Sequence, residues 1–158
     1  MTKEFTPILL GSDINVYGMA RSFNEAYGIR VKALADVQLA ATRYSKIVDV
    51  ELHHGFSADP TFMDVMRKKM EIYKDHKEPV ILIACGDGYA ELLSKHKDEL
   101  SKVFIVPYIE YDLLEKLISK EGFYEVAEEY GLPYPKTKII TMDDYKSGKY
   151  KDVPFQFP

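Results

Sequence analysis

A single cysteine, Cys85, is all the thiol this sequence holds. It excludes an internal disulfide and suits a reducing compartment, so the cytoplasm is the expected location. No apolar run approaches the length of a membrane-spanning helix. The first residues, MTKEFTP, lack the apolar stretch of a signal peptide. Basic residues are not in excess: 21 Lys and Arg stand against 25 Asp and Glu, for a net charge of −4. A general nucleic-acid surface is therefore not expected. Three motifs are missing as well. There is no GxGxxG, no GxxxxGK[ST] and no GxSxG, which excludes a dinucleotide fingerprint, a phosphate-binding P-loop and a nucleophile elbow. Histidines are few. His53 and His54 are neighbours at the end of a strand pattern and point to opposite faces, and only His76 and His96 remain. No metal site is expected.

What is present describes a globular α/β chain. Its 158 residues, 46% apolar and 29% charged, suffice for one domain, or one domain and a piece of another. Pro7–Leu10, Ile29–Ala35, Lys46–Leu52, Val80–Cys85 and Val103–Pro107 read as five strands. The first and fourth are apolar without alternation, as in strands covered on both faces. Helical patterns separate them. Met19, Ala20, Phe23 and Tyr27 share one face after a turn over Gly11–Gly18, and Phe62, Val65, Met66, Met70 and Tyr73 share another. The basic run Arg67, Lys68, Lys69 and Lys74 reads as a solvated face. Strands alternating with helices predict a doubly wound parallel sheet in three layers, with strand order 3-2-1-4-5. The first and fourth strands are then central neighbours, flanking the switch point where such sheets bind ligands. From residue 110 the pattern turns helical, over Asp112–Ile118 and Lys120–Tyr130, with a short sixth strand at Lys138–Met142. The expected division is 1–109 and 110–158. The apolar close, VPFQFP, reads as a chain cut in mid-architecture.

Candidate binding residues follow from that topology. The two small-residue turns after the central strands hold Gly11, Ser12, Asp13, Asn15 and Tyr17, and Gly86, Asp87 and Gly88. Each leads into a helix whose free N–H groups favour anions. The plain alternative is a pair of local turn and cap sequences. Arg21, one turn into the first helix, has two readings: a bidentate carboxylate contact, or an i,i+4 partner for Glu25. Cys85 at a strand end reads as a buried structural thiol, since no basic residue adjoins it in sequence. Lys120 opens a helix, where the dipole disfavours a cation unless a phosphate shares the site. Past that helix the chain reads Gly131-Leu132-Pro133-Tyr134-Pro135.

Three stretches, GSDINVYGMARSFNEAYG, IACGDGYAELLSKHKDEL and SKEGFYEVAEEYGLPYPKT, resemble the opening of an ATP-grasp carboxylate–amine ligase. The nearest subgroup is the D-aspartate ligase-like enzymes of Gram-positive cell-wall (peptidoglycan) synthesis, and the likeness runs over essentially the whole chain. It implies a Rossmann-like pre-ATP-grasp domain on the substrate side, followed by the first helices and strand of a truncated ATP-grasp region. It implies ATP and Mg2+ as cofactors of the full-length enzyme, and a small carboxylate and an amine as substrates. By the same resemblance Lys120 matches the family's first ATP-contacting lysine. The second belongs to a strand that follows a stretch like VPFQFP, and the glycine-rich loop and magnesium acids lie later still. The resemblance thus implies a ligase whose present portion is inactive alone. The alternative is a doubly wound module that binds a nucleotide or small acid and catalyses nothing.

Overall fold

The structure is a computed structural model, and residues 5–152 are described. The readings of MTKE and of Val153–Pro158 fall outside the described residues. The chain divides into two compact units, one reaching Leu114 and the other beginning at Glu115.

The first unit is built on four parallel strands, β1 (Thr6–Leu10), β2 (Val31–Ala35), β3 (Val48–Leu52) and β4 (Val80–Ala84), in the order β3-β2-β1-β4. This is the expected order for the first four strands. The expected fifth strand is reduced to one parallel bridge, Ile81 with Ile105, on the outer edge of β4. The Ile105 N–H donates to the Val80 carbonyl at 2.7 Å, and the Leu82 N–H donates to the Ile105 carbonyl at 3.0 Å. Beyond that point Pro107 has no N–H to extend a ladder. The Ala84 N–H donates instead to the Tyr108 hydroxyl at 2.6 Å. A side chain thus replaces the strand carbonyl.

Both faces of the sheet are covered, which explains the unbroken apolar strands. On one face Ile8, Leu10, Leu34, Val80 and Leu82 join Phe56, Phe62, Met66 and Leu93. There stand α3 (Thr61–Tyr73), α4 (Asp87–Lys95) and the short α5 (Lys97–Leu100). On the other, Leu9, Val31, Ala33 and Val48 meet Val16 and Ala20 of α1 (Ile14–Tyr27). The four-residue α2 (Ala40–Arg43) adjoins α1. Each fully buried Leu or Phe contributes roughly 1.5–3 kcal/mol over its exposed state.

Helix α1 begins at Ile14, earlier than the sequence pattern suggests. The Asp13 carboxylate accepts from the Asn15 and Val16 N–H groups and caps the helix at once. Gly18, read as the end of the turn, lies inside the second helical turn. Gly28 does close the helix, at φ +67° in the left-handed region.

Helix α6 (Tyr111–Ile118) runs across the boundary at residue 114. In the second unit α7 spans Lys120–Glu129, and its Ser119 cap accepts from the Gly122 N–H at 2.9 Å. The Leu132 N–H closes the helix end on the Ala127 carbonyl. The sixth strand is absent: residues 138–140 have no strand partner among the described residues, and Thr141 instead caps α8 (Met142–Ser147). A strand needs a neighbour to satisfy its backbone, and apolar content alone does not supply one. A 3-10 turn, Lys149–Asp152, follows.

Candidate functional site

Strands β1 and β4 are parallel neighbours, and their last residues, Leu10 and Ala84, are register partners. The turns that follow them therefore open on the same rim, at the switch point of the sheet. The Cys85 N–H donates to the Leu10 carbonyl and the Gly11 N–H to the Leu34 carbonyl, so both turns are held by the sheet itself. Gly11 sits at φ +117°, and a Cβ there would lie 3.2 Å from Val16 and 3.7 Å from the Tyr89 ring. Only glycine combines that conformation with that closeness.

Between the turns is an open cavity of about 450 Å³, lined by Asn15, Met19, Ala84, Cys85, Gly86, Asp87 and Ala90. The sequence pattern points to Asn15, Gly86 and Asp87 among these. It does not point to Met19, Ala84 and Ala90, small or apolar side chains with no chemical signature of their own. Asn15 bridges the two turns: its Nδ2 donates to Asp13 Oδ2 at 3.1 Å and to the Cys85 carbonyl at 3.3 Å.

The remaining predicted residues have other places. Ser12 is buried, its Oγ donating to the Val37 carbonyl at 2.6 Å and accepting from the Leu39 N–H. Thr42 Oγ1 donates to the Ser12 carbonyl at 2.7 Å, which ties the first turn to the segment before α2. Asp13 is occupied in capping. Tyr17 is half-buried on α1 and is not part of the cavity lining. Arg21 Nε donates to Glu25 Oε1 at 2.6 Å, with both side chains 63% exposed, and it too is outside the lining. Gly88 lies in the first turn of α4 with open space where a Cβ would be. Lys120 is exposed at the start of α7, in the second unit.

The two helix starts at this crevice differ in capping: each carries an aspartate, Asp13 at α1 and Asp87 in the first turn of α4, but only Asp13 bonds the helix N–H groups. The α1 start is neutralised by Asp13. The α4 start has Gly86 as its cap, with no side chain bonded to its N–H groups. The Tyr89 and Ala90 N–H groups return to the Gly86 carbonyl. The Asp87 and Gly88 amides then face no acceptor among the described residues. Cys85 is no nucleophile at neutral pH. Burial, with the charge of Asp13 added, pushes its thiol up to about 11.

Two histidines near the rim lie beside carboxylates. His54 Nδ1 lies 3.4 Å from Asp36 Oδ1, and His53 Nε2 lies 3.0 Å from Glu51 Oε1, without hydrogen-bond geometry. Asp36 accepts from the Gly55 N–H and the Ser57 hydroxyl, each at 2.8 Å, which holds its carboxyl below the ordinary range. Among the described residues no three His, Cys, Asp or Glu side chains gather as metal ligands. No described helix is long and apolar enough to cross a membrane.

No protein-family model matches the chain. Its sequence is 60% identical to the D-aspartate ligase of Enterococcus faecium (strain Aus0004) over 158 residues, 99% of this chain and 38% of that protein. The chain thus spans well under half of that relative. Its fold matches the crystal structure of an L-amino acid ligase from Bacillus licheniformis with a TM-score of 0.60, covering 90% of this chain and 35% of the other. At 14% identity that second likeness speaks for the fold alone. Along its own length the chain is similar to that D-aspartate ligase, as the resemblance carried by its three stretches implied.

Proposed function

We propose that this chain is the substrate-side portion of an ATP-dependent carboxylate–amine ligase. The observation that carries the reading is the 60% identity to a D-aspartate ligase along the whole chain. The parent enzyme activates a carboxylate as an acylphosphate, and an amine attacks it to give an amide. D-aspartate is the substrate that the relative's name suggests; a cell-wall precursor amine as acceptor, and the cytoplasm as setting, extend that reading. On this reading residues 1–109 form the pre-ATP-grasp domain, and the ATP-grasp region begins at 110.

The crevice after β1 and β4 is the substrate edge. Asn15, Gly86 and Asp87 front it, with Gly88 next along α4 and Gly11, Ser12 and Asp13 shaping the first turn behind Asn15. The uncapped start of α4 offers amide donors to a carboxylate. Arg21 would reach a ligand only by leaving Glu25. ATP supplies the phosphoryl group that activates the carboxylate, and Lys120 is the residue of this chain assigned to the nucleotide. The described residues hold no acidic cluster fit for magnesium. Its ligands belong, on this reading, to parts of the relative that the chain does not span, and the chain alone is inactive.

The test is ADP release by a chain extended beyond Pro158, supplied with ATP, Mg2+, D-aspartate or other amino acids, and amine acceptors. An extended chain that binds no ATP refutes the ligase reading. The alternative is a non-catalytic module for a nucleotide or small acid. It is favoured if ATP alone strongly raises the melting temperature of the 158-residue chain, because a ligand bound only to the native state stabilises it by mass action.

A further inference from the structure

The opposite rim of the sheet carries a second cavity that the ligase reading does not use. Lys32 stands on β2, an interior strand between β1 and β3, yet it is exposed. Its register partners are Ile8 and Asp49, and Leu34, two residues on along the same face, is fully buried. On this face Ile8 and Val80 are buried in the apolar cluster, and the opening lies around Lys32 and Asp49, toward the amino ends of β2 and β3. A charged side chain is tolerated in an interior strand only where the sheet is wet.

The opening is a cavity of about 460 Å³, whose polar lining includes Thr6, Arg30, Lys32, Asp49, His76 and Glu78. Two fixed cations and two fixed anions surround one space. Their mutual pairing is loose. Arg30 Nη2 lies 3.8 Å from Asp49 Oδ1, both side chains more than 60% exposed. Among the described residues Glu78 Oε2 accepts the Thr6 hydroxyl alone, at 3.2 Å, and that hydroxyl lies 3.4 Å from His76 Nε2. Among the described residues Lys32 forms no ion pair within 4 Å. A tighter network would have closed on itself; this one leaves both signs of charge available.

We propose that this cavity binds a small zwitterion, a free amino acid with an uncharged side chain. Lys32 and Arg30 take the carboxylate, and Asp49 and Glu78 take the ammonium group. A simple anion meets two carboxylates there and a simple cation meets two bases, so each half-ligand is opposed where the zwitterion is matched. The site lies at the amino ends of the strands. It is separate from the crevice at the carboxyl ends and does not depend on that crevice's function.

The experiment is a 1H–15N correlation titration of the 158-residue chain with L- and D-alanine, and separately with acetate and methylammonium at the same concentrations. Saturable shifts at Arg30, Lys32, Asp49 and His76 with either alanine, weaker by about tenfold or more in Lys32→Met, support the site. Asp49→Asn gives the same loss from the ammonium side and guards against a misfolded first variant. The proposal is overturned by the absence of saturable shifts, by acetate or methylammonium acting as well as alanine, or by shifts confined to 11–15 and 85–90. Unchanged binding in both variants overturns it equally.

Discussion

Gly18→Ala should make this protein more stable. Gly18 lies in the second turn of α1, is exposed, and has no positive φ. A Cβ built there meets nothing within 4 Å. The substitution therefore adds no clash and removes the backbone entropy that an interior helical glycine loses, worth about 0.8–1 kcal/mol. For a unit of this size that raises the unfolding midpoint by roughly 4 °C. Two other glycines calibrate the assay. Gly28→Ala forces a side chain into φ +67° and should cost about 1 kcal/mol. Gly122→Ala places a Cβ 2.2 Å from the Lys116 carbonyl oxygen, so the first turn of α7 must shift, and it should be the most damaging of the three. Differential scanning calorimetry or urea denaturation reads all three. A Gly18→Ala chain that melts at or below the parent refutes the reasoning. Gly18 also shares a helix face with Asn15 and Met19, which line the crevice.

Three further outcomes follow from the same geometry. With its thiol near 11, Cys85 should react with Ellman's reagent at pH 8 on the order of a hundredfold more slowly than a free cysteine, and accelerate as the pH climbs toward 11. Lys69, 8% exposed, brings its ammonium to 2.6 Å from both oxygens of the 40%-exposed Glu51. Lys69→Met should cost about 1–2 kcal/mol, less than a fully buried pair because water still reaches Glu51, and Glu51→Leu in the same chain should recover most of the loss in urea melts. Asp36, held below its ordinary value of 3.8 chiefly by the Gly55 N–H and then the Ser57 hydroxyl, contributes stability that is present above that value and lost as the pH falls below it. Asp36→Asn should flatten the acid limb of a stability–pH curve; an unchanged limb would show that the carboxylate carries no such linkage.

Much of the frame was legible because it rests on local sequence chemistry. Unbroken apolar runs at Pro7–Leu10 and Val80–Ala84 require cover on both faces, and helix-period segments between them provide it. The order β3-β2-β1-β4 then follows from the connection rules. The misreadings have two causes. Gly18 looks like turn chemistry, but an aspartate cap five residues earlier starts the helix before it. Residues 103–107 and 138–142 are apolar enough for strands, yet a strand is completed only by a neighbour's backbone. Tyr108 takes the place of that neighbour at Ala84, and among the described residues 138–140 have none.

The sequence alone determined the class of fold, the rim where the two small-residue turns emerge, and the likeness to a D-aspartate ligase, because periodicity, turn residues and long matched stretches are properties of the chain in order. Only the tertiary structure decided which side chains face the crevice, that Ser12 is spent inside and Arg21 on Glu25, and that Lys32 stands on an open half of the sheet. Burial, partner choice and the space left over depend on which distant segments arrive side by side, and no local pattern encodes that.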